Sequence, residues 1–165
     1  MMTQWAWTFA VLIVIGAVLQ RGFRSKQFRS IERKLGFRSA GSRAPEDFPI
    51  KDAPFYSITD QVSNVSIGDF EGRRTMILDY HANHGDVGYK QSIVAFKSSC
   101  RIPSLPSLWR AAEIRCLRLG AWIAMYRERE EVPVGKIENF VSDCSELMRE
   151  IEARQGEFDS ERLNL

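Results

Sequence analysis

"RRTMILDYHANHGDVGYKQSIVAFK", residues 73–97, carries the pattern from which the fold is read. From Arg73 to His81 the side chains alternate. Met76, Leu78 and Tyr80 fall on one face, and Thr75, Ile77, Asp79 and His81 on the other. After "ANHGDVG", Ile93 and Ala95 alternate with Val94 and Phe96. A period of two belongs to strands, because successive side chains point to opposite faces of a sheet. Two such runs joined by a Gly-containing loop of modest length make an antiparallel hairpin.

The same stretch holds both histidines of the chain, in "DYHANHGD" at 79–86. Asp79 and His81 share a strand face, and His84 and Asp86 lie in the adjoining loop, so the four are the candidate metal ligands. Zinc or iron would need three or four such groups converging, with further residues orienting them. The loop also has a simpler explanation. Asn83, Gly85, Asp86 and Gly88 are residues that a hairpin connection selects, because they tolerate positive φ or bond their own backbone. The stretch reads as a turn, and no metal or other cofactor is assigned. Nucleophile patterns are equally thin. Ser98, Ser99 and Cys100 form a polar cluster without a G-x-S-x-G elbow, and "GDFEGR" lacks the Lys and helix of a phosphate loop. No catalytic residue follows.

Upstream, "VSNVSIGDF" is a further strand, ended by "EG" at 71–72. Downstream, "IPSLPSL" breaks regularity and "LWRAAE" has the length of one helical turn. "EIRCLRLGAWIAMYRE" reads as a second hairpin turning near "LGA", with Trp122, Ala124 and Tyr126 on one face. Ile137, Phe140, Val141, Cys144, Leu147, Met148 and Ile151 then trace i, i+3, i+4, i+7 spacing, the stripe of an amphipathic helix. The expected product, residues 55–154, is an α+β domain: an antiparallel sheet packed by a C-terminal helix. Residues 39–54, rich in Ser, Gly, Ala and Pro, read as a linker, and 155–165 as a frayed tail.

The first twenty residues, "MMTQWAWTFAVLIVIGAVLQ", contain no charged side chain. At the helical rise they span ~30 Å, the thickness of a bilayer's hydrocarbon core. Without a basic flank at the start or a small-x-small cleavage site, the stretch reads as a single transmembrane helix rather than a signal peptide. Residues 21–43 follow with eight Lys/Arg against one acid, Glu32, whereas 44–165 hold 15 basic and 20 acidic residues. Arg21, Arg24, Lys26, Arg29, Arg33, Lys34 and Arg38 lie within ~20 residues of the span, so they orient it with the N-terminus outside and the body cytoplasmic. The expected location is the inner (plasma) membrane. Phe28, Ile31 and Leu35 place an apolar stripe on a short basic helix over 21–38, with Gly36 at its C′ position. Its basic residues are expected to face the membrane and attract anionic lipid headgroups. The net-acidic body argues against nucleic acid as a partner. Three widely spaced cysteines without a C-x-x-C pair fit a reducing compartment.

The order of these pieces resembles a group of bacterial membrane-anchored proteins with no assigned activity. Those pieces are the membrane span, a basic helix ending in "RKLGF", G-x-F-x-G, "DY", "QSIVAF", P-x-L and a late W-x-x-x-Y strand before the C-terminal helix. The resemblance covers about residues 25–150 and brings no catalytic residue. The expected function is a membrane-tethered cytoplasmic binding or scaffolding domain, with an unidentified protein partner. Two alternatives stay open: a metal-dependent enzyme using the His81/His84 loop, and an accessory subunit of a membrane complex.

Overall fold

The computed structural model describes Trp7 and residues 22–84, 87–100 and 113–163, with side chains described up to Gln155 and not for His84 or Val87. The expected span at 1–20, Arg21, the Gly85–Asp86 pair and the stretch from "IPSLPSL" to "LWRAA" fall outside this set, Trp7 excepted. Among the described residues no helix is long and apolar enough to cross a membrane.

The architecture is α+β. A helix at residues 22–35 (α1) precedes β1 (Arg38–Gly41), β2 (Gln61–Phe70), β3 (Arg73–His84), β4 (Val87–Lys97), β5 (Ile114–Leu119), β6 (Trp122–Arg127) and α2 (Ile137–Leu163). The strands form one antiparallel sheet in the order β1-β2-β3-β4-β6-β5. The β2–β3 turn places Glu71 and Gly72 at φ 50° and 78°. Two left-handed residues match the twist of the flanking strands, which is why "EG" closes this hairpin. The β3–β4 hairpin is tighter than the loop read from "ANHGDVG", since pairing continues to His84↔Val87.

Both faces of the sheet are covered. On one, Ile77, Val94, Phe96, Ile123 and Met125 pack against Phe28 of α1 and Ile137, Phe140, Val141, Cys144, Met148 and Ile151 of α2. The expected α2 stripe is thus the buried one, with Leu147 at its margin. On the other, Met76, Leu78, Tyr80, Ile93, Ala95, Trp122 and Tyr126 pack beneath Phe48, Ala53 and Phe55. Helix α1 ends as its cap residues direct: Gly36 has φ 71°, and the Phe37 N–H donates to the Glu32 carbonyl at 2.7 Å. That six-to-one bond is the Schellman closure, with Phe37 turned into the core. The ring of Phe37 occupies the space where a side chain at position 68 would stand. A Cβ on Gly68 would lie 2.2 Å from its Cδ1.

Three boundaries differ from the expectation. Residues 39–54 are not merely a linker: β1 overlaps their start, a 3-10 turn spans Ile50–Asp52, and Phe48 and Ala53 cover a sheet face. Their polar composition hides the few apolar residues that do the covering. The folded body begins at α1 rather than near Phe55, because Phe28 belongs to the core. Helix α2 continues to Leu163, through the stretch expected to fray.

Candidate functional site

Beyond Ile77 the helix-covered face turns polar. Strand register lines up Ser63↔Asp79↔Ser92 in one row and Gln61↔His81↔Lys90 in the next. Residues directly opposite on an antiparallel sheet share a face, so six polar side chains face the same side at this end of the hairpin.

Asp79 is fully buried, 0% exposed, and is bound on both oxygens. Arg24 of α1 forks onto it, Nε to Oδ2 at 2.8 Å and Nη2 to Oδ1 at 2.7 Å. Asn64 Nδ2 donates to Oδ2 at 2.8 Å, and the Ser92 hydroxyl to Oδ1 at 2.9 Å. A β-bulge supplies Asn64: the register slips between Ser63 and Ser66, and Asn64 takes φ 50°. The extra residue re-aims a side chain, which bulges commonly do, and asparagine tolerates the left-handed region better than most. Arg24 Nη1 also donates to the Val132 carbonyl at 3.1 Å, and Nε lies 3.1 Å from Glu131 Oε1. Burial alone would depress the guanidinium. Its hydrogen bond to Asp79 and the charges of Asp79 and Glu131 outweigh that, holding it above its ordinary value.

Two expectations change here. Asp79, read as part of a strand end and its turn, is buried within the sheet, with four donors on its carboxylate. Arg24, expected to face lipid, turns inward to the sheet, because Asp79 would otherwise be an unpaired buried charge. Lys26, Arg29, Arg33, Lys34 and Arg38 remain exposed, with Lys34 paired to Glu138. His81 Nε2 lies 3.0 Å from the Ser63 hydroxyl, inside the polar face. The His84 side chain and Asp86 lie outside the described residues. Among those described, no group of three His, Cys, Asp or Glu could hold a metal ion.

Two cavities open at this end of the hairpin, the larger reaching Ala82 and Tyr89 of the opposite face. The larger, about 630 Å³, is bounded by Asn83, Gly88, Tyr89 and Arg129. The smaller, about 200 Å³, is bounded by Arg24, Ser25, Ser63 and Asn64. Gln61, His81, Lys90 and Glu131 line both, so the two form one groove. Arg129 stands at its rim with φ 59°, its guanidinium 5.5 Å from the centre of the Tyr89 ring and its N–H donating to Gln91 Oε1 at 3.3 Å. A non-glycine residue held left-handed is costly backbone, and such positions cluster at functional sites.

Two of the three thiols are closed off. Burial pushes the thiols of Cys116 and Cys144 upward, which leaves them inert at neutral pH. Burial and the nearby Asp60 carboxylate raise the Tyr80 phenol on the opposite face, and its hydroxyl contacts both Asp60 and the Phe55 carbonyl.

Sequence reasoning found Asp79 and His81 but missed Gln61, Asn64, Lys90, Ser92, Arg129 and Glu131. Lys90 was within reach, since the length of the hairpin turn places it opposite His81. No protein-family model, curated protein or solved structure matches the chain. The function therefore rests on the groove itself.

Proposed function

We propose that this chain is a membrane-tethered cytoplasmic domain that binds a small polar ligand in the groove over Gln61, His81 and Lys90. The observation that carries it is the Arg24–Asp79 pair, bonded on both carboxylate oxygens, beneath two joined cavities. Buried polar groups that are completely paired hold their surroundings in one geometry, and a rigid floor under an open polar groove is what a binding site needs. The tether is supported by the uncharged apolar stretch before Arg21 and by the exposed basic residues of α1 beside it. Phe23, 64% exposed at the start of α1, suits the boundary between lipid and water.

The test uses the purified full chain in detergent, with small polar compounds screened against the NMR signals of His81 and Lys90. At least one compound should shift these signals saturably, and Gln61→Trp, which fills the groove, should abolish the shift. If no compound moves them, the groove is not a binding site. For the tether, a reporter active only in the cytoplasm and fused after Leu165 should be active. The opposite result overturns the orientation.

A further inference from the structure

We propose that the groove takes a phosphate-bearing anion, with Lys90 and Arg129 as its cationic contacts, an inference that rests on the groove being a ligand site. The argument begins with charge. Glu131, the acid among the lining residues, lies 3.1 Å from Arg24, whose charge is already matched by the buried Asp79 beneath the groove. The acids that flank Arg129 in sequence are also engaged, Glu128 by Arg115 and Glu130 by Arg127. Lys90 and Arg129 have no carboxylate within ion-pair distance among the described residues. With Arg24 matched by Asp79, Lys90 and Arg129 outweigh Glu131 and leave the groove net positive.

Geometry narrows the ligand. Tyr89 stacks beneath the Arg129 guanidinium, and the Gln91 side chain fixes its backbone; both lie on the face of β4 opposite Lys90, so the planar fork is held across the cavity from that lysine before any ligand arrives. An arginine fork matches the paired oxygens of a phosphate, while a lysine supplies a point charge to a further oxygen. Gln61 and Asn83 add amide donors along the wall. A carboxylate offers two oxygens in one plane, and an arginine fork occupies both. A phosphate ester sets four oxygens tetrahedrally around its phosphorus, so a fork and a point charge can reach it from different sides, and the larger cavity has room for the group it is attached to.

The anion has two possible sources with the same chemistry. One is a soluble phosphate ester. The other is the headgroup of an anionic phospholipid, because Arg24 and Ser25 of the groove lie only four and five residues after the uncharged stretch ends at Gln20.

The experiment uses the full chain in phosphatidylcholine nanodiscs at constant ionic strength, reading the NMR signals of His81 and Lys90. Glycerol 3-phosphate, inorganic phosphate and acetate are titrated in solution. In a second arm, phosphatidylglycerol replaces part of the phosphatidylcholine. A saturable shift with a phosphate compound or with phosphatidylglycerol is expected. Lys90→Ala and Arg129→Ala should each weaken it by about tenfold or more, as loss of a charge-assisted hydrogen bond does. Lys51→Ala, on the 3-10 turn, should leave it unchanged. Unaltered spectra of the ligand-free variants establish that they are folded. A response to glycerol 3-phosphate without one to phosphatidylglycerol assigns the soluble source, and the reverse assigns the headgroup. Acetate binding as tightly as phosphate, or full affinity in the Lys90→Ala/Arg129→Ala variant, overturns the proposal. If only neutral or cationic compounds bind, the anion is wrong and the groove stands. If compounds of every charge fail, both are wrong.

Discussion

Ile77 and Asp79 stand two residues apart on the same face of β3, and they head two regions held together by opposite physics. Around Ile77 the face is dry: Val94, Phe96, Ile123 and Met125 meet the apolar stripe of α2. Around Asp79 the face is built from charges and hydroxyls, bound to α1 and to the chain after β6. Apolar contacts tolerate approximate fits, whereas a buried carboxylate must be matched donor by donor. One face can therefore carry both a core and a site, provided that the boundary is sealed by complete pairing.

The largest effect should come from splitting the polar pair. Arg24→Ala or Asp79→Ala leaves one buried charge uncompensated and should cost ~3–5 kcal/mol in chemical denaturation. The Arg24→Ala/Asp79→Ala double variant should cost less than the sum of the two, since the second change removes the charge that the first stranded. Strict additivity would mean that the two groups do not act as a pair. At the apolar end, Phe140→Ala should also cost ~3–5 kcal/mol, but with no such coupling to Asp79→Ala. Coupling there would erase the distinction between the two regions.

Alkaline pH gives a smaller, graded contrast. Burial raises the Cys144 and Cys116 thiols in the folded chain, while in the unfolded chain they lose protons near their ordinary value of 9.0. Above that pH the unfolded state binds fewer protons, so stability is complete below it and falls as pH rises. The slope reaches up to ~1.4 kcal/mol per pH unit for each thiol. Cys144→Ala should flatten it, and an unchanged slope would place that thiol in contact with water. The smallest stability effect is expected at the groove rim. Lys90→Ala and Arg129→Ala should stay within ~0.5 kcal/mol, as surface changes do. A larger loss would make these residues part of the scaffold rather than of the binding surface.

Much of the apolar packing on both faces was legible in the sequence. Alternation at Ile93–Phe96, the Trp122–Ala124–Tyr126 face, the stripe on α2 and the cap at Gly36 are local patterns, and local patterns survive into the fold. The alternation did not reveal that both faces of β3 would be buried. The cover on the second face comes from Phe48, Ala53 and Phe55, scattered through polar and proline-rich chain. The polar region was nearly illegible. Arg24 and Asp79 are separated by 55 positions, and nothing near either residue announces the other. Arg24 looked like one more member of a basic collar, and Asp79 like the edge of a turn. Only register, a bulge and the docking of α1 bring them together.

The bond from Arg24 to the Val132 carbonyl joins groups 108 positions apart, and that separation sets a schedule. During synthesis α1 leaves the ribosome early, while its last partner is still unmade. At ~5–20 residues per second the interval between them is roughly 5–20 seconds. Through that time Arg24 and the apolar stripe of Phe28, Ile31 and Leu35 have no finished surface to rest on. Helix α1 must therefore be among the last pieces to settle. A newborn molecule waits with its basic helix open to whatever lies beside it.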